Sequence, residues 1–234
     1  MYFPLGIIVD VCAVFVAGFV GGLVGSRLTE RVVNALNILM GFVAMAIGII
    51  FTIKVKQLAP VVLSLVLGLL LGLLLRLDDH ICSLFGKVSK KIFKDETDEE
   101  KASKFNIVLV LSCCTGTGIF GALTEGLTGD STILICKAIM DLTTMFIFAT
   151  TIGKATSLAC IPAAIVFTSL FFLAKLLAPT LNAENFQGNF YAVGGIIELI
   201  IAFNIIKVTK FKVIDALPAL ILVFPITYLW NLIF

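Results

Sequence analysis

Long apolar runs alternate with short polar segments along the whole chain. A membrane-spanning helix needs about 20 mostly apolar residues, and eight runs of roughly this length occur in the sequence. They cover residues 4–25, 32–53, 58–76, 105–125, 132–152, 157–178, 190–206 and 213–233. This pattern predicts an all-α polytopic membrane protein with about eight transmembrane helices.

The composition supports this class. Hydrophobic residues make up 60% of the 234 residues and charged residues 14%, with a mean hydropathy of +1.14. Soluble domains are only about 45–50% apolar. The first run lacks a charged leader and a small-residue cleavage site, so we expect it to stay as a helix. The lipid bilayer is therefore the expected partner, and nucleic acid is not.

The basic residues are unevenly distributed between the two ends of the predicted helices. Most of the 17 lysines and arginines follow the first, third, fifth and seventh runs, whereas Lys54, Lys56 and Lys175 lie at the opposite ends. Basic loops favour the cytoplasmic side of a membrane. We therefore predict that the odd-numbered loops lie in the cytoplasm and that the N-terminus and C-terminus lie outside.

One long polar segment, KVSKKIFKDETDEEKASKFN, interrupts the alternation. Its basic half suits an anionic inner leaflet, whereas its acidic half would be repelled, so we interpret the segment as a solvated linker. The predicted organisation has four parts: a first three-helix repeat (1–86), a charged cytoplasmic linker (87–104), a second, inverted three-helix repeat (105–178) and a C-terminal helix pair (179–234).

The repeats are inferred from short matches at constant offsets. The first three helices match the three helices after the charged segment. In addition, residues 37–60 match residues 195–218, which suggests a partial third repeat. Since three helices are an odd number, the second copy would enter the membrane from the opposite face. The matched positions of the first two copies are GLVGS (22–26) and GLTGD (126–130), Asn37 and Asp141, and Pro60 and Pro162.

Three blocks of the sequence resemble a known family. They are GIIVDVCAVFVAGFVGGLVG, GALTEGLTGDSTILICKAIMD and AVGGIIELIIAFNIIKVTKFKVIDALPAL. With these blocks the chain resembles, nearly end to end, the bacterial YqgA/YdfK-like integral membrane proteins, or domain of unknown function 554. That family usually has asparagine in place of Asp10 and an aliphatic residue in place of Glu198. The resemblance implies a polytopic inner-membrane protein, often labelled a transporter, and names no substrate.

Lys137 and Asp141 are the first candidates for a functional site. They lie four residues apart in the fifth predicted span and can pair on one helix face. Ionisable groups at membrane depth cost roughly 2.5–3.5 kcal/mol each and usually face a bundle interior or a wet cavity. The pair either binds a proton, an ion or a solute, or is a structural ion pair; alternatively, the lysine snorkels outward.

Other polar residues of the predicted spans complete the candidate site. Asn34 and Asn37 either bind a solute near the midplane or form hydrogen bonds between helices. Glu198, with Asn204 nearly two turns further on, could bind a proton, pair with the lysine or face a wet cavity. Asp10 is nearer the outer interface, where a solvated helix end is the simpler interpretation.

The fourth span, SCCTGTGIFGALTEGLTG, is rich in glycine and contains Thr115 and Thr117 as further candidates. Glycine costs about 1 kcal/mol relative to alanine within a helix. We therefore predict a broken helix whose free backbone groups line a cavity, with close helix packing as the alternative. Glu125 and Asp130 flank the GLTG sequence and are expected in a solvated turn.

Glycines spaced four apart, such as Gly18 and Gly22 or Gly68 and Gly72, are typical of close helix contacts. Such contacts could lie within the chain or between subunits, so a homo-oligomer is consistent with the sequence. The cysteines show no CxxC pair and the chain has one histidine, so no metal, cofactor or disulfide framework is expected.

The sequence contains no HExxH, GxSxG or Walker A motif, and we predict that the protein is not an enzyme. The preferred function is a secondary transporter of a small polar or charged solute or ion. Without a nucleotide-binding domain, coupling would come from a proton or cation gradient, or conduction would be passive. The alternative is a membrane scaffold or accessory subunit that transports nothing.

Overall fold

The computed structural model describes residues 3–24, 29–93, 99–181 and 184–233. Within these ranges the chain is helical and contains no strand. Two short 3₁₀ segments, Lys154–Ala159 and Val213–Ala216, precede the eighth and tenth helices. The α-helices are α1 (Leu5–Val24), α2 (Glu30–Thr52), α3 (Leu58–Leu74), α4 (Leu77–Ile92), α5 (Glu99–Cys113), α6 (Gly116–Thr128), α7 (Thr132–Ile152), α8 (Cys160–Leu181), α9 (Glu184–Ile205) and α10 (Ala219–Ile233).

The helices reproduce the predicted apolar runs. Among the described residues, seven helical segments are long and apolar enough to cross a membrane, or eight if the bent pair α3 and α4 forms one span. Helices α5 and α6 together make one of these candidates, the 30-residue segment Glu99–Thr128. The predicted class, an all-α polytopic membrane protein, is confirmed.

The charged segment interpreted as a linker is helical at both of its described ends. Lys87 and the following residues up to Ile92 belong to α4, and Glu99 begins α5. Residues 94–98 lie outside the described ranges. The charges of the described part are therefore carried on helix surfaces instead of an extended loop.

The chain forms two compact units that interleave along the sequence. The first unit comprises Met1–Asn37 and Asp79–Ala174, and the second comprises Ile38–Asp78 and Lys175–Phe234. Helices α2, α4 and α8 each contribute to both units. The four consecutive parts and the inverted repeats read from the sequence stay predictions.

The core of the first unit is built around α1 and α7. Helix α1 packs along α7 and against the 3₁₀ segment Lys154–Ala159. Large aromatic side chains from α5, α6 and α8 are buried there. They are Phe105, Phe120, Phe167 and Phe171.

The second unit is built around α3, which packs on α9, α10 and the 3₁₀ segment Val213–Ala216. Buried Asn189 holds the start of α3. Its side-chain oxygen accepts hydrogen bonds from the backbone N–H groups of Lys56 at 3.3 Å and Gln57 at 2.8 Å. Its amide group donates to Thr227 Oγ1 at 3.1 Å. These bonds hold the chain that leads into α3, including the N–H of its N-cap residue Gln57.

In each unit, glycines bring a helix onto a 3₁₀ segment. A Cβ atom added to Gly18 or Gly22 of α1 would overlap the backbone of Lys154–Ala159. A Cβ atom added to Gly72 of α3 would overlap the backbone of Asp215 in the same way. These glycines therefore form contacts within the chain, and they do not by themselves require contacts between subunits.

The outer surface of the helices is apolar. Leu74 is 80% exposed and Ile221 is 68% exposed, and Leu70, Ile165 and Leu229 are each more than half exposed. Soluble monomers rarely expose large contiguous apolar patches. These side chains contact the lipid bilayer, as the composition predicts.

Candidate functional site

The candidate site is a buried cluster of Asp10, Lys137 and Asp141 in the first unit, here named the acid–lysine cluster. The Lys137 ammonium donates hydrogen bonds to Asp10 Oδ1 at 3.3 Å and Oδ2 at 3.1 Å. It also donates to Asp141 Oδ2 at 2.5 Å. One ammonium group therefore joins two carboxylates, one from α1 and one from its own helix.

The cluster is shielded from the surroundings. The side chain of Lys137 is 3% exposed, that of Asp10 is 0% exposed and that of Asp141 is 11% exposed. With all three groups ionised, the cluster carries a formal charge of −1. An unbalanced charge in a low-dielectric interior is costly, so one further proton or cation would neutralise the cluster.

Small residues on α1 allow this helix to lie close to α7. The buried face of the helix carries Gly6, Asp10, Ala13, Ala17 and Gly21, which repeat every three or four residues. A Cβ atom on Gly21 would lie against the α7 backbone. Because α1 lies this close to α7, the short Asp10 side chain reaches the ammonium group.

The structure shows where the Asp10 and Lys137 side chains point. Asp10 was interpreted as a solvated helix end, but it is completely buried because it faces α7 and not the outer interface. Lys137 does not snorkel outward, since its ammonium group is held by the two carboxylates. Asp10 lies 127 residues before Lys137 in the chain. No short-range sequence pattern predicts that these two residues pair.

The fourth span is interrupted beside the cluster. Helix α5 ends at Cys113 and α6 begins at Gly116, where the Thr115 hydroxyl accepts a hydrogen bond from the Gly118 N–H at 3.3 Å. A Cβ atom added to Gly118 would lie 2.9 Å from Lys137 Cε. The broken helix and the acid–lysine cluster are thus neighbours, and a larger side chain at this glycine would displace the Phe167 ring and the lysine.

An aromatic ring completes the surroundings of Lys137. Its Nζ atom lies 5.1 Å from the centroid of the Phe167 ring of α8. A cation near a ring face is attracted by the ring quadrupole. Thr117, the other threonine candidate, is buried in the first turn of α6. The cation is therefore surrounded by groups from α1, α6, α7 and α8.

Glu125 has a role that the sequence did not indicate. It was expected in a solvated turn, but it is completely buried. Its Oε1 accepts hydrogen bonds from the Gly6 N–H at 2.7 Å and from the Ser131 hydroxyl at 2.5 Å, and its Oε2 accepts one from the Ile7 N–H at 3.3 Å. The carboxylate thus caps the first turn of α1, where free N–H groups and the helix dipole favour an anion. Asp130 stays exposed.

The two asparagines of α2 are not part of this network. Asn34 is exposed and Asn37 is half-buried. Neither amide forms a hydrogen bond to another residue of the described chain. Their part in binding a solute stays a prediction.

The two candidates of α9 lie in the second unit. Glu198 is completely buried. Asn204 organises the turn after the helix, since its amide donates to the Phe211 carbonyl at 2.8 Å and its oxygen accepts from the Phe211 N–H at 3.0 Å and the Thr209 hydroxyl at 2.7 Å. Asn204 is therefore placed as a loop-stabilising residue.

No group of three or more His, Cys, Asp or Glu side chains within the described ranges could hold a metal ion. The cysteines there are free thiols. The acid–lysine cluster offers two carboxylates, but the ammonium group occupies the position between them.

Membrane-length apolar helices around a buried ionic cluster define a polytopic α-helical membrane protein. The profile of the family "Protein of unknown function (DUF554)" matches residues 5–228, and the chain belongs to this family. It is 34% identical over 231 residues to "Uncharacterized protein YqgA" of Escherichia coli (strain K12), with 97% of both chains covered. It is 25% identical over 227 residues to "Uncharacterized membrane protein YdfK" of Bacillus subtilis (strain 168), with 93% of both covered. No solved structure is significantly similar to it. The family resemblance read from the sequence is confirmed.

Proposed function

We propose that the protein is a secondary transporter that moves a small polar or charged solute or ion across the bacterial inner membrane. One observation carries this proposal: two carboxylates and one ammonium group are buried together between membrane-length helices. Ionisable groups in this position are rare, and in membrane proteins they often mark ion pathways and proton relays.

The proposed coupling follows from the charge of the acid–lysine cluster. Lys137 balances one carboxylate, and the remaining negative charge is balanced by a proton or a cation taken from the driving gradient. Because the ammonium group contacts Asp10 and Asp141 at the same time, it can remain with one carboxylate while the other binds and releases the coupling ion. No catalytic chemistry is part of this proposal.

The interrupted fourth span supports a transport role. Broken helices within the membrane are a recurrent feature of transporter binding sites, where free backbone groups face the solute or ion. Here the break at Cys114 and Thr115 adjoins Gly118, which faces Lys137. The solute is thus proposed to bind near the start of α6.

A second candidate function is a membrane scaffold that transports nothing. The observation favouring it is the closure of the cluster: Lys137 is already paired with both acids and is 2% exposed as a residue. A buried ion pair can serve to fix the register of neighbouring helices. In this case the cluster orients α1 on α7 and binds no further ligand.

A thermal-shift screen of the purified protein distinguishes the two functions. The panel contains amino acids, polyamines, organic acids and inorganic ions, each tested on the wild type and on Asp141→Asn. A ligand at 100 times its dissociation constant stabilises the folded state by about 2.7 kcal/mol. Transport predicts a ligand whose stabilising effect is present in the wild type and lost in Asp141→Asn.

Lys104→Met is the matched control for this screen. Lys104 pairs with Glu100 at 2.7 Å, also four residues apart, but on an exposed surface. The control variant should keep the ligand response of the wild type. If no compound stabilises the wild type and Asp141→Asn only lowers the unfolding temperature, the scaffold function is favoured and the transport proposal fails.

A further inference from the structure

Helix α4 begins where an apolar span ends. Helix α3 has 17 residues, which at 1.5 Å per residue is about 25 Å, close to the roughly 30 Å thickness of the hydrocarbon core. The two helices are separated by Leu75 and Arg76, and Arg76 has a positive φ of 48°. The charges of α4 would be costly within the core, so we expect α4 at the membrane surface.

The three faces of α4 differ in their surroundings. Phe85 and Ser89 are buried. Leu84, Val88 and Ile92, spaced four apart, form an exposed apolar strip with 58%, 37% and 38% exposure. Lys87 and Lys91 follow Leu84 and Val88 by three residues and therefore lie beside the strip on the helix surface. The exposed basic residues of the helix are Lys87, Lys90 and Lys91.

The acidic residues that follow in the sequence do not all share this surface. Glu99 and Glu100 belong to the first turn of α5, and Glu100 pairs with Lys104. The basic half of the segment thus occupies a helix separate from these acids. Within the described ranges, Glu99 and Glu100 are thus carried on a different helix from Lys87, Lys90 and Lys91.

We propose that α4 is an interfacial helix that binds anionic phospholipids of the cytoplasmic leaflet. The apolar strip enters the boundary between acyl chains and headgroups, and the flanking lysines contact the phosphates. Amphipathic helices with lysines beside an apolar face bind membranes in this manner, and the attraction of lysines to anionic lipids is expected on the cytoplasmic side. This binding surface is independent of the acid–lysine cluster and of the transport proposal.

Quenching of tryptophan fluorescence by brominated lipids tests the proposal. Leu84→Trp is made in a Trp230→Phe background, which leaves one indole in the chain, and the protein is reconstituted in phosphatidylcholine vesicles containing phosphatidylglycerol. Brominated phosphatidylcholine should quench this indole, since the strip contacts lipid. The strip should bind phosphatidylglycerol at least about fivefold more strongly than phosphatidylcholine, measured by quenching with the brominated form of each lipid. This factor corresponds to the attraction of one lysine near the surface.

Two matched double variants test the role of the lysines. Lys87→Gln with Lys91→Gln should abolish the preference for phosphatidylglycerol. Lys207→Gln with Lys210→Gln removes the same charge from exposed residues after α9 and should leave the preference unchanged. Val88→Trp in the same background reads the same strip if Leu84→Trp fails to fold.

Three results would overturn the proposal. The first is an indole that brominated lipid does not quench, because the strip is then covered by protein or water. The second is equal binding of the two lipids by the chain with all its lysines. The third is a preference that survives Lys87→Gln with Lys91→Gln.

Discussion

At the scale of single residues, Lys137 is the residue on which the charge balance of the buried site depends. It is the cation of a buried cluster that carries one more carboxylate than it can balance. Removing one partner from a buried ionic network is costly, because the charges left behind have neither water nor a counter-ion. The cluster therefore responds differently to the loss of its cation and to the loss of one acid.

Lys137→Met should destabilise the protein strongly, and Asp10→Asn should not. The first variant leaves two buried carboxylates without their ammonium group, at a cost of about 3–5 kcal/mol. The second removes the excess negative charge and keeps an oxygen that can accept a hydrogen bond from Lys137, so we expect a change below about 1 kcal/mol. Denaturant or thermal unfolding in detergent measures both. Equal destabilisation by the two variants would contradict the charge argument.

Glu125→Ala should destabilise the protein by about 1–3 kcal/mol, the cost of leaving buried donors without partners. The variant removes the acceptor of the Gly6 and Ile7 N–H groups at the start of α1. Glu125→Gln keeps one acceptor oxygen and is the control, with a smaller loss. Hydrogen exchange of the first turn of α1 should increase in the alanine variant. Unchanged exchange there would show that Glu125 does not hold the helix start.

At the scale of elements, glycine pairs position two helices. Gly18 and Gly22 bring α1 onto the 3₁₀ segment Lys154–Ala159, whereas Gly72 brings α3 onto Asp215 of the other 3₁₀ segment and Gly68 brings it onto Ala219 at the start of α10. Without side chains at these positions the backbones pack at short distance, which membrane helices exploit because lipid provides no hydrophobic drive for association. The spacing of four was visible in the sequence, but the partner surface was not.

Gly72→Ala should destabilise the protein, whereas Gly86→Ala should not. An added Cβ at Gly72 would overlap the Asp215 carbonyl oxygen, whereas at Gly86 its nearest neighbour would be Asn106 Nδ2 at 3.8 Å. We expect a loss of about 1–3 kcal/mol for the first substitution. The second should be neutral or gain up to about 1 kcal/mol, because alanine is the better helix former. The unfolding temperatures of the two variants measure the difference. A tolerated Gly72→Ala would mean that α3 can move away from its 3₁₀ segment.

At the scale of the whole molecule, the structure contains interleaved units and not consecutive blocks. Helix α1 belongs to the unit that also contains α5, α6 and α7, while α3 belongs with α9 and α10. Apolar periodicity specifies which residues form helices, but helices of similar composition have many possible neighbours. The sequence therefore predicted the helices, whereas the two compact units became visible only in the structure.

The basic residues predict the orientation of the molecule. A C-terminal fusion to alkaline phosphatase should be active and a C-terminal fusion to green fluorescent protein dark, because an outside terminus folds only the first reporter. Fusions that end after Lys91, on the proposed cytoplasmic side, should show the reverse. The same reporter being active both at the C-terminus and after Lys91 would contradict the topology predicted from the lysines and arginines.

Part of the candidate site was predictable, and the reason is local geometry. Lys137 and Asp141 share a helix face because they are four residues apart, and an ion pair within an apolar run is visible in any reading of the sequence. The glycines and Thr115 likewise predicted the interruption of the fourth span. Glu125 could not be found in this way, because its partners lie at the start of α1, 119 and 118 residues away.

The class of the protein and its helices follow from the sequence alone, because the length and hydropathy of a span must match the bilayer wherever the span packs. The lysine–aspartate pair follows as well, since one helical turn joins its members. The third member, Asp10, depends on α1 lying against α7, which small residues permit but do not specify. Only the tertiary structure decided that this carboxylate is buried on Lys137, and it is this contact that leaves the cluster with an unbalanced charge.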